Sequence, residues 1–299
     1  MSKARVFSSA LVALLSIVSM NFGASWAKHL MLDVGANGAA WLRFVMAAAS
    51  LSVISLIVRV SRPSRRTMPL REWPWRLVIL YSAALLLMNW TIYHSFFHLP
   101  VGLGVAIELL GPLTLAVIGS RGFGDYFWVF LAGAGVLLLG FQPQASLAGI
   151  VWALLAAIGW AGYIHAGSKV AGPEPVHLLL FTYVVGTLVL GPFALPELLS
   201  RELTSSVWFS AALVGVFSAA LPYSLELMVL RRIPARLFSI LQASAPAVAA
   251  LLAWLVIGEQ IGPMSWVAIV AVMTASVGAT ISTSRNSQSS RKDLGLPSS

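Results

Sequence analysis

The chain of 299 residues contains no cysteine, and charged residues make up only 10% of it. The absence of cysteine excludes disulfides, thiolate metal sites and thiol nucleophiles. Charged residues make up about 25% of an average soluble domain, and a globule this poor in charge could not cover its surface with polar side chains. The composition therefore excludes a soluble enzyme, a disordered chain and a nucleic-acid-binding domain.

Long apolar runs take the place of the missing charge: 59% of the residues are hydrophobic, and the mean hydropathy is +0.87. A membrane-crossing helix needs about 20 apolar residues, so ten of them would use about 200 positions. Polar or turn residues separate most of the runs. We predict an all-α membrane protein with ten transmembrane helices, at residues 6–27, 37–58, 75–97, 101–120, 125–141, 146–168, 176–195, 207–229, 235–257 and 263–283.

The basic residues predict how these helices are oriented. With the N-terminus in the cytoplasm, 16 of the 19 Lys and Arg residues fall in inner loops and tails, Lys28 and Arg201 fall outside, and Arg43 lies within a helix. Cytoplasmic loops carry such an excess of positive charge, and it arises here only with an even number of spans. We therefore expect both termini in the cytoplasm. The alternative, a signal peptide cleaved after Ala27, requires an apolar core of about 7–15 residues, and the run here is longer.

Two segments of the chain, residues 89–112 and 223–246, match each other at a constant offset of 134 residues. The aligned pairs are Asn89 with Tyr223, Pro100 with Pro234, Glu108 with Gln242, and Pro112 with Pro246. The prolines bracket the fourth and the ninth predicted helices, so each half has five helices and the second half is inverted in the membrane. Secondary transporters use such inverted repeats and bind substrate near the midplane between them.

This symmetry predicts the domain organisation. We expect one five-helix repeat in residues 1–141, a second, inverted five-helix repeat in residues 142–284, a central cavity between the two, and a disordered cytoplasmic tail in residues 285–299. Channels can share the same symmetry, so it favours transport without requiring a carrier.

Glu108 is the first candidate for the cavity, because it lies within the fourth predicted helix without a charged neighbour in sequence. A charged side chain at bilayer depth costs roughly 2.5–3.5 kcal/mol on insertion scales, so it should face a cavity or a partner. Pro112 lacks the N–H that would bond the Glu108 carbonyl, which predicts a slightly unwound helix with Pro112 and Pro246 as hinges. The alternative is a structural ion pair of Glu108 with Arg43 or Lys28.

Arg43 and Glu226 are charged candidates with competing interpretations. The guanidinium of Arg43 suits a carboxylate, so it could bind an amino-acid substrate, neutralise Glu108, or extend to the membrane interface. Glu226 follows Tyr223 by three residues and shares its helix face, so it could line the cavity. It could also pair with Arg231 or Arg232 near the inner end of its helix.

Polar and aromatic pairs on the third, sixth and ninth predicted helices are further candidates for the cavity wall. The residues that share a face at helical spacing are Asn89 with Tyr93, Trp160 with Tyr163, and Ser239 with Gln242 and Pro246. Polar groups in membrane helices either join helices to one another or line a pathway. Repeat symmetry brings these helices and Tyr223 together around one axis. Lining of a pathway is therefore as good an interpretation of these residues as contact between helices.

Several short runs of sequence carry a resemblance to a known family. They are residues 42–44 (LRF), 105–112 (VAIELLGP), 220–226 (ALPYSLE) and 257–259 (IGE), with Lys28 at the end of the first helix. They resemble the ten-helix drug/metabolite transporter superfamily, EamA type, over nearly the whole chain. One position departs from the pattern of that family. Relatives often carry a carboxylate immediately before the proline of the ninth helix, whereas this chain has Ala245 there.

The resemblance implies a secondary active transporter of the bacterial inner membrane that exports small amino acids such as threonine and homoserine. It also implies coupling to protons, with Glu108 as the titrating group, and a small-molecule substrate and the lipid bilayer as partners. The runner-up is a broader drug or metabolite exporter of the same fold. A membrane-embedded enzyme acting on lipid-linked groups would need a polar cluster in an interfacial loop, and the loops here are short. We find no motif for a cofactor, a metal, a nucleotide or a nucleic acid in the sequence.

Overall fold

The structure, a computed structural model, describes residues 3–61, 68–118, 127–128, 130–135, 146–170, 174–223, 225 and 235–293. Every regular element in these ranges is helical. The helices are α1 (Lys3–Ser61), α2 (Trp75–His98), α3 (Val101–Glu108), α4 (Leu110–Ile118), α5 (Leu147–Gly167), α6 (Pro175–Leu199), α7 (Ser205–Gly215), α8 (Ala235–Gln242), α9 (Ala245–Ile257) and α10 (Pro263–Asp293). A 3₁₀ turn, Leu70–Glu72, precedes α2, and a π-helical turn, Val216–Ala220, continues α7.

Seven helical segments within the described part of the chain are long and apolar enough to cross a membrane. They are Ser9–Ile57, Trp75–His98, Leu147–Gly167, Pro175–Leu199, Ser205–Tyr223, Ile240–Ile257 and Pro263–Ile281. Large apolar side chains such as Leu32, Val60 and Leu188, each more than 70% exposed, cover the outside of the bundle, as expected of a surface in contact with lipid. In the described residues, an all-helical fold with apolar helices of membrane-crossing length is therefore confirmed. The count of ten crossings remains a prediction, because most of the fifth predicted helix, at residues 125–141, lies outside the described residues.

The first segment is 49 residues long, about twice the length that one crossing needs. Gly35, with φ 73° and ψ 174°, divides it into two helical arms, and this backbone region is essentially restricted to glycine. A Cβ atom at Gly35 would lie only 2.5 Å from an oxygen of Glu197. The two arms lie where the first two transmembrane helices are predicted.

Two helices of the bundle are interrupted at equivalent positions of the sequence repeat. The helix α3 ends at Glu108, and Leu109 separates it from α4. The helix α8 ends at Gln242, and two residues separate it from α9. Each helix ends four residues before a proline, whose missing N–H removes one bond from the helical ladder. The predicted fourth helix therefore consists of two short helices, and both breaks lie next to the candidate cavity.

Helix packing brings the first arm of α1 against the π-helical turn. A Cβ atom at Gly23 would lie 2.6 Å from the backbone nitrogen of Ser218, so only glycine allows this approach. The hydroxyls of Ser16 and Ser19 donate to the carbonyls of Pro222 and Phe217. These contacts fix the π-helical turn beside α1, where it faces the interior.

Candidate functional site

A cavity of about 540 Å³ lies inside the bundle, a volume typical of small-molecule sites. The predicted residues on its wall are Glu108, Pro112, Trp160, Tyr163, Tyr223 and Gln242. The wall extends to Gly167, Val170 and Pro175, where α5 ends and α6 begins. We call this end of the molecule, which also contains the N-terminus of α2, the cavity end.

A second, smaller cavity of about 70 Å³ lies deeper in the bundle. The predicted residues Arg43, Asn89 and Tyr93 lie on its wall. The residues that line both cavities are Met20, Met88, Glu108, Trp160, Tyr223 and Gln242. The two cavities therefore adjoin, and Glu108 lies at their junction.

Glu108 is only 8% exposed, and its carboxylate makes no hydrogen bond or ion pair with any residue that the structure describes. The structural ion pair considered from the sequence is not formed. Lys28 instead contacts Glu259, with 2.5 Å between Nζ and Oε1, and Arg43 is held by other groups. Glu108 is thus a buried carboxylate that faces two cavities and retains its full capacity to accept hydrogen bonds or a proton.

Arg43 is 4% exposed, and three of its N–H groups are bonded. Its Nε donates to Ser218 Oγ at 2.7 Å, its Nη2 donates to the Ser218 carbonyl at 3.0 Å, and its Nη1 donates to Asn89 Oδ1. The guanidinium carbon lies 5.5 Å from the centre of the Tyr93 ring, within the range of a cation–π interaction. The alternative in which Arg43 extends to the membrane interface is wrong, because these contacts hold it in the interior.

Ser218 is the residue at this site that the sequence does not reveal. It lies in the π-helical turn Val216–Ala220, and such turns are frequent at functional sites. Its hydroxyl donates to the Val214 carbonyl at 2.6 Å while it accepts from Arg43. A single serine in an apolar run gives no signal of this kind, and the offset-134 match does not include it.

Three candidates remain without a position on the cavity wall. Glu226 lies outside the described residues. For Ser239 only the backbone is described. Pro246 is buried at the start of α9 and is not part of either cavity wall, so a hinge role for Pro112 and Pro246 stays a prediction.

The opposite end of the bundle, which contains the C-terminus of α2, is held by two carboxylates, and we call it the latched end. Glu259 is one of them. It pairs with Lys28. Its second oxygen accepts a hydrogen bond of 2.8 Å from the backbone N–H of Val101, the first residue of α3. The Lys28 ammonium also donates to the Leu99 carbonyl at 2.7 Å. One ion pair therefore joins α1, α3 and the end of α9.

Glu197 is the second carboxylate of the latched end. It accepts from Asn37 Nδ2 at 2.7 Å and from the Gly38 N–H at 3.3 Å. The amide oxygen of Asn37 accepts from Trp90 Nε1 at 2.9 Å and lies 3.1 Å from His94 Nε2. Glu197 thereby ties α6 to the kink of α1 and to α2.

Comparison with known proteins identifies the family of this chain. A model of the EamA-like transporter family matches residues 147–281. The threonine/homoserine exporter RhtA of Escherichia coli (strain K12) is 31% identical over 292 residues, which cover 95% of each chain. The protein of the same name from Salmonella typhimurium (strain SL1344) is 33% identical over 293 residues, with the same coverage. The chain belongs to the EamA-like transporter family.

As a member of this family, the chain is a multi-pass membrane transporter, and its relatives are transporters, not enzymes. A solved crystal structure supports the fold. It superimposes with a TM-score of 0.58 at 17% identity and covers 93% of this chain and 98% of the other. At 17% identity this similarity supports the fold and nothing about function.

Proposed function

We propose that this chain is a secondary active exporter that moves small amino acids resembling threonine and homoserine out of the cytoplasm in exchange for protons. The observation that carries the proposal is the buried carboxylate of Glu108, unpaired among the described residues, at the junction of two cavities. The substrate class rests on the relatives, which cover nearly the whole chain and bear the name of threonine and homoserine exporters.

The membrane orientation follows from the charge distribution. Sixteen of the 19 basic residues fall on one side when both termini are cytoplasmic, as expected for inner loops. The cavity end then faces the cytoplasm and the latched end faces outward. An exporter must accept its substrate in this arrangement, with the cavity reached from inside and the outer side held by Glu197 and Glu259.

Alternating access requires two halves that can exchange conformations. We assign residues 1–141 and 142–284 to two inverted five-helix repeats. The interruptions after Glu108 and Gln242, four residues before Pro112 and Pro246, support this assignment because they lie at aligned positions. The prolines are then the hinges about which the broken helices bend.

Glu108 supplies the coupling group in this proposal. It carries a proton in one orientation of the cavity and releases it in the other, while Arg43, Asn89, Tyr93, Tyr163, Tyr223 and Gln242 shape the site. Ala245 stands where relatives often have a carboxylate, which leaves Glu108 and Glu226 as candidates for the coupling group. We assign the function to Glu108, because it is the carboxylate among the described residues of the cavity wall.

The experiment is threonine uptake into inside-out vesicles driven by an imposed pH gradient. Glu108→Gln should abolish gradient-driven uptake, and Glu72→Gln, which changes an exposed carboxylate outside the cavity, should leave it unchanged. Uptake by Glu108→Gln at the rate of the parent protein would rule out the coupling role. Absence of threonine uptake by the parent protein would rule out the substrate class.

The runner-up is a broader drug or metabolite exporter, and one observation favours it. The main cavity is lined by several aromatic side chains: Tyr81, Trp160, Tyr163, Tyr223 and Phe238. Such a wall also suits substrates larger than threonine. Counterflow against a panel of amino acids and larger aromatic amines separates the two proposals.

A further inference from the structure

The small cavity contains one guanidinium and one carboxyl side chain that form no ion pair with each other among the described contacts. Arg43 and Glu108 both line it, both are more than 90% buried, and no ion pair joins them among the described contacts. Buried charges are normally paired, because an isolated charge is costly in an apolar interior. This wall is therefore complementary to a ligand that carries both signs of charge.

Arg43 has the donors that such a ligand would use. A guanidinium carries five N–H groups, and three of them are bonded to Ser218 and Asn89. One N–H on each terminal nitrogen is left for another acceptor. A carboxylate accepts from two N–H groups of one guanidinium, and the bonds to Ser218 hold the side chain in place before a ligand arrives.

Glu108 has the complementary capacity. Its two oxygens accept nothing from described residues, whereas an ammonium group offers three N–H donors. The cavity of about 70 Å³ has room for a few waters or a small charged group, but not for a bulky side chain.

We propose that the small cavity binds the zwitterionic head of the substrate, with the α-carboxylate on Arg43 and the α-ammonium on Glu108, and that the substrate side chain extends into the main cavity. This inference rests on the proposed function and adds how the transporter recognises its substrate. Binding is governed by the head group, and a ligand that carries only one of the two charges meets an uncompensated side chain of its own sign.

The test uses the purified full-length protein in liposomes preloaded with threonine, with radiolabelled threonine counterflow as the readout. Three competitors are compared: threonine, its methyl ester, which lacks the carboxylate, and N-acetylthreonine, which lacks the ammonium. Because hydrogen bonds to charged groups are lost, each modified compound should compete at least about tenfold more weakly than threonine.

Variants then assign each charge to its side chain. Arg43→Gln should weaken competition by threonine at least about tenfold and should not weaken competition by the methyl ester, so that the preference for threonine over the ester is lost. Glu108→Gln should in the same way remove the preference over N-acetylthreonine. Arg71→Gln, at an exposed arginine, should leave both preferences as in the parent protein.

Different failures have different meanings. Threonine counterflow in which the ester and the N-acetyl compound compete as well as threonine overturns the head-group site and leaves amino-acid transport intact. An absence of threonine counterflow overturns the proposed function and this inference with it. The comparison of competitors requires only the parent protein, so it decides the question even where an Arg43 variant fails to fold.

Discussion

The two ends of the molecule are joined in chemically different ways. At the latched end, charged groups connect residues of the first 118 positions with residues after 146: Lys28 with Glu259, and Asn37 and Gly38 with Glu197. Between the latched end and the cavity end, Arg43 donates to Ser218. Closer to the cavity end, Ser82 and Thr182 form a bond of 2.8 Å between neutral groups. Hydrogen bonds to charged groups contribute about 1.5–3 kcal/mol, against about 0.5–1.5 kcal/mol for neutral ones.

Both carboxylates of the latched end also lie at the N-terminus of a helix. Glu259 accepts the first N–H of α3, and Glu197 accepts the N–H of Gly38 just after the kink of α1. An anion is favoured at this position by the helix dipole and by unpaired N–H groups. The difference between the ends indicates that the conformation seen here is held by the latched end. In the alternating access proposed above, those bonds must break during transport.

The largest expected effect comes from fixing the latched end covalently. In Lys28→Cys/Glu259→Cys, treatment with a short bis-methanethiosulfonate reagent should abolish threonine counterflow, because the linked end can no longer separate. A reductant should restore transport. The chain has no cysteine of its own, so the reagent has no other thiol target.

Each single cysteine variant, treated with the same reagent, serves as the control for this experiment. Both should retain counterflow after treatment. A linked double variant that transports at the untreated rate would show that the latched end does not move, and the comparison of the two ends would lose its functional meaning.

The cavity residues could be predicted from the sequence to a large extent, and the latched end could not. Glu108 and Arg43 are visible because a charge within an apolar run is costly, and helical spacing adds Asn89 with Tyr93 and Trp160 with Tyr163. Glu259 looks like the end of a helix in sequence, and its partner lies 231 residues away. A pair so distant is determined by the packing of whole helices and not by any local pattern.

Ser218, inside the site, could not be predicted from a local sequence pattern either. Its role depends on the π-helical turn, which adds one residue to a helical turn and directs the serine toward Arg43. The sequence repeat at an offset of 134 residues, in contrast, does correspond to a structural feature. The helix breaks after Glu108 and Gln242 fall on its aligned positions.

The second prediction concerns the ion pair of the latched end. Glu259→Ala should shift the population away from the present conformation by about tenfold, because it removes a charge-assisted bond and the cap of α3. A reporter cysteine at Val170, a partly exposed residue on the wall of the main cavity at the cavity end, measures the shift. Its labelling by a membrane-impermeant maleimide from the cavity end should fall, and Lys28→Ala should have a similar effect. Unchanged labelling in both variants would contradict a latch at this position.

The third prediction distinguishes the two carboxylates from each other. Glu197 is bonded to neutral donors, Asn37 and the Gly38 N–H, whereas Glu259 has the cationic partner Lys28. Glu197→Ala should therefore reduce the same labelling, but by less than Glu259→Ala does. Equal effects would show that the helix caps, which both residues provide, matter more than the ion pair.

The smallest effect is expected from the kink of α1. Gly258 serves as a control with positive φ, although its ψ of 21° is ordinary left-handed backbone and that of Gly35 is 174°. Gly35 and Gly258 both have positive φ, 73° and 67°, but only at Gly35 would an added Cβ meet another group, the carboxylate of Glu197 at 2.5 Å. An alanine in left-handed backbone costs about 1–2 kcal/mol, so Gly258→Ala should lower the melting temperature of the detergent-solubilised protein modestly. Gly35→Ala should lower it by a few degrees more, because it strains the backbone and also displaces Glu197. If the two variants melt together, the contact between Glu197 and the kink contributes nothing measurable to the stability of the latched end.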